Sequence, residues 1–411
     1  MVDQKNNSTI TTYGYRWVVL FFFSLVTLII QIQWLTFAPI ASEAKAIYSV
    51  SSMSIDLLSL IFMIVFVIVC IPASYIIDKF GLKIGVGIGV ILTGIFGMMK
   101  GIYAADYTMI VIAQVGLAIA QPFIINAATK VAVHWFPVQE RATAVGLATL
   151  AQFSGIVIAM IATPLLIATN TKDVYDLKGM LMTYGIISIV GAVLFLFFVK
   201  EYPPTSPGEK NDDDRFDAFF DGIKHIFKQR DMVLVLIMFF IGLGLFNAVS
   251  TCIDQICEPK KFTMEQTGLV GGIMLIAGIV GAVVLPMISD KMRKRKIFLI
   301  LAMALSLPGL IGLTFFGNYT LVLISSAILG FFLLGAGAPV GFQYAAEISY
   351  PAPESSSQGL MLMAGQISGI LFIVGMNVAG MTPFLIAFIV LLLVNVYIGT
   401  RLNESKMIST D

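Results

Sequence analysis

The residues of this sequence best able to do chemistry are amides and carboxylates set inside long apolar stretches. Gln31, Gln33 and Trp34 share one stretch, and Gln121, Gln152, Asn247, Gln343 and Gln366 each fall within others. A polar group at membrane depth is costly, so it marks either a solute path or a bond between helices. An amide offers donors and an acceptor without net charge. An indole face attracts cations, quaternary ammonium groups in particular. Such a set can hold and release a small polar or cationic solute. Any one amide fits interhelical bonding equally well; together they fit the lining of a shared cavity better. Asp56 opens its stretch and Asp254 lies late in its own, both toward one face, while Glu347 ends another near the opposite face. None is clearly at mid-depth, so an obligatory proton relay is not indicated.

Bond-making chemistry lacks its parts. The chain has 2 His and 3 Cys, with no nucleophile–base set, no His/carboxylate metal cluster and no phosphate loop. Cys70 sits in an apolar run, and Cys252 and Cys257 have no histidine beside them, which suits small apolar fillers. A net charge of +1 gives no electrostatic case for nucleic acid. The expectation is therefore a protein that is not an enzyme and needs no cofactor or metal. Its partners would be a small-molecule solute and the lipid bilayer.

The elements that must position these residues are membrane helices. Of 411 residues, 58% are hydrophobic and only 12% charged, against about 25% charged in soluble domains. Mean hydropathy is +0.94. A crossing helix needs about 20 apolar residues, and that rule gives about twelve spans. They fall near 16–40, 55–77, 84–104, 107–133, 142–168, 180–199, 232–256, 266–288, 297–316, 319–346, 357–380 and 383–401. The first, Trp17 to Pro39, is too long for a signal-peptide core and reads as a retained span. Lys and Arg favour one set of loops by about three to one, which puts both termini in the cytoplasm of a cell membrane, plasma or bacterial inner.

Between Lys200 and Asp231 the chain turns polar, "KEYPPTSPGEKNDDD", then amphipathic, "RFDAFFDGIKHIFK". This predicts a linker and a surface helix over 200–231, dividing a six-helix bundle over 1–199 from another over 232–411. A repeat supports the division. "AQFSGI" from Ala151 returns as "GQISGI" from Gly365, and "HWFPVQE" from His134 answers "ISYPAPE" from Ile348, each 214 residues later. "DKFGLK" from Asp78 returns as "DKMRKRK" from Asp290, 212 residues later. The 214 offset also relates Gln33 to Asn247 and Gln152 to Gln366. The expected fold is an all-α membrane protein with twelve transmembrane helices in two pseudo-symmetric six-helix bundles.

"DKFGLK", in the loop after the second span, resembles the signature loop of the major facilitator superfamily. That resemblance implies a cytoplasmic gate. Asp78 would face a helix N-terminus and a nearby cation, with Lys79 beside it, and Gly81 would permit the tight turn. Arg141 is the expected partner region, and Asp290 supplies the second copy. The alternative is a solvated loop that merely obeys the basic-inside bias.

A narrower resemblance rests on longer stretches. "YRWVVLFFFSLVTLIIQIQWLTFAPI", "IDLLSLIFMIVFVIVCIPASYIIDKFG" and "FQYAAEISYPAPESSSQGLMLMAGQISGILF" are similar to FLVCR-type transporters of solute carrier family 49. The resemblance implies transport of choline and ethanolamine by alternating access, with an older assignment to haem export. It also implies a choline site made by a Trp in span one, a Gln in span four, an aromatic in span seven and a Gln in span eleven. Trp34, Gln121 and Gln366 match. Asn247 stands where vertebrate members carry a tyrosine, and Asp254, about two turns on, could offer an amine a carboxylate instead. A neutral polar solute, or a proton-coupled carrier or exporter of amphipathic metabolites, drugs or haem, stays open beside the choline-like reading. By analogy with this architecture the protein would work as a monomer.

Overall fold

Long apolar runs of about 20 residues satisfy their backbone amides in lipid as helices, and the described apolar runs take that form. The computed structural model describes residues 13–168, 177–204, 226–335, 337–349 and 354–405. The first half comprises α1 (Arg16–Trp34), α2 (Ala41–Tyr48), α3 (Ser52–Phe80), α4 (Leu82–Ile102), α5 (Tyr107–Ile125), α6 (Ala128–Trp135), α7 (Val138–Ala168) and α8 (Leu177–Phe198). The second comprises α9 (Arg230–Thr251), α10 (Ile253–Cys257), α11 (Met264–Met292), α12 (Lys296–Phe315), α13 (Tyr319–Leu333), α14 (Gly337–Ser349), α15 (Glu354–Ala379) and α16 (Met381–Thr400). The linker and the expected surface helix fall outside the described residues over 205–225.

Among the described residues, 11 helices are long and apolar enough to cross a membrane. The tenth expected span, 319–346, is instead two helices, α13 and α14, parting after Leu333. Its counterpart, span four, parts likewise into α5 and α6, with Pro122 in the last turn of α5. Spans one and seven are also broken, α1 ending at Trp34 and α9 at Thr251.

The ends of the helices repeat as well. At the face opposite the termini, the outer one by the expected orientation, Ser51 caps α3 by accepting from the Ser54 N–H, and Thr263 caps α11 in a reciprocal box with Gln266. Asp106 caps α5 and Asn318 caps α13. At the inner face a carboxylate from the end of each half caps the half's third span. Glu201 accepts from the Leu82 N–H at 2.7 Å, and Glu404 from the Arg295 N–H at 2.8 Å.

Small residues let helices close on one another within each half. A Cβ at Gly185 of α8 would lie 2.8 Å from the Gly97 carbonyl of α4, and one at Gly330 of α13 would overlap the Met274 carbonyl of α11. The halves meet along α3 with α15 and α7 with α11. A Cβ at Gly268 would lie 2.4 Å from the Met160 carbonyl, so α11 and α7 touch backbone to side-chain position near their outer ends.

Candidate functional site

Trp34 ends α1, where the helix stops and the chain turns through a 3-10 segment at Ala38–Ile40. Its side chain is buried, and its Nε1–H donates to the Ser59 carbonyl of α3 at 3.2 Å. One turn deeper, Gln31 accepts from Gln121 Nε2 at 3.2 Å, pairing α1 with α5. From the second half, Asn247 of α9 donates to the Gly365 carbonyl of α15 at 3.2 Å. Gln366 follows on α15, half-buried, with its Oε1 buried and lacking a hydrogen-bond partner among the described residues.

The contact of α3 with α15 brings these groups to one region. The two helices run antiparallel: Asp56 meets Asn377 near the outer face, and two turns deeper a Cβ at Gly369 would touch Met63 Sδ at 3.0 Å and Asn247 Cβ at 3.1 Å. Gln366, three residues before Gly369, shares the face turned toward the first half. Ser59, the anchor of Trp34, lies one turn above Met63. Trp34 and Gln366 therefore border the same contact within roughly 10 Å along the membrane normal, at 1.5 Å per residue.

Near the outer face two carboxylates join the halves. Asp56 of α3, 2% exposed, accepts from Gln255 Nε2 at 2.8 Å and from Asn377 Nδ2 at 2.6 Å, with Cys252 Sγ at 3.5 Å. Asp254 of α10, beyond the end of span seven, accepts from the Ser42 N–H at 2.7 Å. Burial raises the Asp254 carboxyl above its ordinary value, against the pull of the Ser42 hydrogen bond. Asp254 is thus engaged across the halves, rather than standing beside Asn247 as a free partner for an amine.

Other expected placements differ. Gln33 is 1% exposed and turns into the first half. Its Nε2 donates to Ser188 Oγ at 2.9 Å and its Oε1 accepts from Lys100 Nζ at 2.9 Å, so the amide joins spans one, three and six. Neighbouring positions on a helix diverge by about 100°, which sends Gln33 away from the side Trp34 occupies. Gln343 is exposed and donates to Glu347 at 3.1 Å.

The signature loop is held within its own half. Asp78 pairs with Lys130 at 3.3 Å, not with Arg141, which donates to the Phe136 carbonyl at 3.2 Å. Lys79 donates to Tyr75 one turn back on its own helix. Gly81 has φ 92°, and a Cβ there would lie 2.6 Å from Glu201 Oε1. Asp290 bonds Arg295, which also reaches Glu347 at 3.2 Å, rather than meeting Glu140 or Arg141. Glu140 instead pairs with Arg16 at 3.0 Å. Among the described residues these charges of the inner face pair half by half, whereas the outer face is tied across.

Lys100, Gln255, Asn377 and Glu201 were not singled out from the sequence. Asn377 stands two residues before the end of α15 among apolar neighbours, which is a usable signal. No group of three or more His, Cys, Asp or Glu placed to hold a metal occurs among the described residues.

A family model described as Major Facilitator Superfamily matches residues 23–373. The choline/ethanolamine transporter FLVCR1 of Felis catus is 30% identical over 372 residues, 87% of this chain and 66% of that protein. Solute carrier family 49 member A3 of Xenopus tropicalis is 30% identical over 379 residues, 88% of this chain and 77% of that protein. The chain thus spans just under two thirds of the first relative's length. A bacterial homologue of the human lysosomal transporter Spinster, crystallised inward-facing and unoccupied, shares the fold with a TM-score of 0.78 at 15% identity, over 95% of this chain and 97% of that one.

Proposed function

We propose that this chain, which belongs to the Major Facilitator Superfamily, carries a small hydroxylated amine of the choline and ethanolamine class across a cell membrane by alternating access. The observation that carries the reading is the α3–α15 border, where Trp34 of one half and the unpartnered buried carbonyl of Gln366 in the other flank one contact. A buried amide oxygen without a partner is an acceptor awaiting a donor. The hydroxyl or ammonium of such a solute supplies one, while the indole face receives the cationic end. Gln121 and Gln31 add a neutral polar wall, and Asn247 makes the second half's wall an amide where the FLVCR-type pattern has an aromatic ring. That change favours a solute held by hydrogen bonds, and so ethanolamine over choline.

Alternating access is supported by the distribution of contacts. Solute held at the α3–α15 border is released when the Asp56 and Asp254 ties part or when the inner loops do. Asp78, Lys79, Gly81, Arg141 and Asp290 organise the inner ends of each half, so that the halves move as rigid bodies. The protein acts on its solute by binding and movement alone, as a monomer, with both termini on the cytoplasmic side. The basic-inside bias supports that orientation, and the two-bundle division at a linker over 200–231 supports rocking about one border.

Uptake of labelled ethanolamine and choline into proteoliposomes, with and without a pH gradient, tests the reading. The expected result is saturable counterflow that Trp34→Ala and Gln366→Ala each abolish. Absence of counterflow for both solutes in the wild type sinks it, and dependence on an imposed proton gradient would favour the proton-coupled carrier instead.

A further inference from the structure

Lys100 lies in the last turn of α4 and is 1% exposed, yet among the described residues no carboxylate pairs with it. A buried ammonium without a counter-charge is strongly disfavoured, so whatever faces it must compensate. Its Nζ donates to Gln33 Oε1 at 2.9 Å, lies 3.4 Å from the Gln33 carbonyl and 3.5 Å from Thr36 Oγ1, and sits 5.2 Å from the centre of the Phe37 ring. All of these belong to the broken end of α1 and the turn that follows it.

A helix end leaves its last carbonyls without intrahelical donors and gathers the negative pole of the backbone dipole there. At α1 the Ile32 carbonyl is taken by Thr36 Oγ1 at 2.7 Å, and the Gln31 carbonyl weakly by the Leu35 N–H at 3.4 Å. The Gln33 carbonyl is shared, accepting from Thr36 Oγ1 at 3.3 Å and from Lys100 Nζ at 3.4 Å. A cation at this end both supplies a donor and meets the dipole, which is what an uncharged residue cannot do. We propose that Lys100 is a positioning residue for the solute site: it holds the break in span one, and with it the pose of Trp34, the next residue along.

The geometry is specific to that role. Gln33 is gripped from the other side by Ser188 Oγ at 2.9 Å and the Tyr184 carbonyl at 3.3 Å, so Lys100 closes a fixed socket around one amide. Gly97, one turn before Lys100, leaves the room, since a Cβ there would stand 3.1 Å from Gln33 Nε2. With Gln33 fixed, the helix cannot rotate, and the indole of Trp34 is delivered to the Ser59 carbonyl. The segment beyond the break runs on to Ser42, the donor to Asp254. The same lysine thus sets the solute-binding ring at one end of the turn and the outer tie at the other.

The inference rests on the reading of Trp34 as a solute-binding residue, but its test need not. The chain has 3 Trp, so Trp17→Phe with Trp135→Phe leaves Trp34 as the sole indole. In this background Lys100→Met should shift Trp34 emission to the red and raise its quenching by acrylamide about twofold or more, read without solute. In proteoliposomes the same substitution should raise KM for ethanolamine about tenfold with a smaller change in maximal rate, and Lys100→Arg should recover most of that loss. A purely structural lysine would lower the melting temperature and leave the spectrum and KM of the folded fraction unchanged. Where Lys100→Met does not fold, Lys100→Gln carries the same measurements. An unshifted, unquenched Trp34 in either folded neutral variant overturns the proposal. Wild-type protein that moves neither solute would instead overturn the transport reading and leave the spectral result standing.

Discussion

Asn377 donates to Asp56 at 2.6 Å although 321 positions separate them, and the bond joins one half of the molecule to the other at the outer face. Gln255 adds a second donor from the second half at 2.8 Å. The same carboxylate thus collects donors from two helices of the opposite bundle, α10 and α15.

Replacing Asp56 with Ala should therefore release the outer face. The buried Gln255 amide loses its acceptor, at about 1–3 kcal/mol, while the half-buried Asn377 keeps the Ile373 carbonyl at 3.0 Å. Cys252, fully buried beside Asp56, is a native reporter. With Cys70 and Cys257 replaced by Ser, labelling of Cys252 by an impermeant maleimide should quicken about tenfold or more in Asp56→Ala. An unchanged rate would show that Asp56 does not hold the face shut.

Gly369 offers the complementary experiment, one that wedges rather than unties. A Cβ there would press on Met63 Sδ at 3.0 Å and Asn247 Cβ at 3.1 Å. Met63 can yield, being flexible, but Asn247 is held by its bond to the Gly365 carbonyl. Gly369→Ala should cost about 1 kcal/mol of the outer-closed form and weaken solute affinity through Asn247. Gly369→Ala with wild-type affinity in a ligand-induced thermal shift would mean the border is looser than its contacts imply.

Much of the fold was legible because hydropathy and length admit few alternatives in lipid. A further signal lay unused: the capping residues Ser51 and Thr263, and Asp106 and Asn318, each recur 212 positions apart. The site was legible by residue type but not by direction. Gln33 and Trp34 are adjacent, and only packing decides that one faces Ser188 and the other Ser59. Lys100 stands at a span end and counts as an outer-loop cation by position, yet its side chain turns inward to the end of α1. Asp78 had two cations near the junction of spans four and five, in α6 and α7, and nothing in the sequence ranks Lys130 above Arg141. Partner choice is a tertiary property, set here by which helix end each loop leaves beside α3.

Two acidic residues of the inner face should separate stability from transport. Asp78 is half-exposed and its pair with Lys130 is worth less than about 1 kcal/mol. Asp78→Ala should leave the melting temperature nearly unchanged while most transport is lost, as the gate reading requires. Glu201 caps the backbone of α4 at Leu82 and Lys83, so Glu201→Ala should cost about 0.5–2 kcal/mol of stability. Full uptake by Asp78→Ala would remove it from the gate.

Acidity should bias the outer face in a direction that follows from Asp254. Its carboxyl is raised above the ordinary value by burial, with the nearby Glu258 charge adding to the effect. In an opened form the same carboxyl meets water and returns toward that ordinary value. The closed form therefore holds the proton more tightly, so lowering the pH toward the raised value favours closure and raising it favours opening. Spin labels at Tyr103 and Phe316, exposed residues past the outer ends of α4 and α12 in opposite halves, should move apart as pH rises. In Asp254→Asn, which cannot ionise, that dependence should flatten. A distance that lengthens with acid, or one whose pH dependence survives the substitution, would assign the proton to another group.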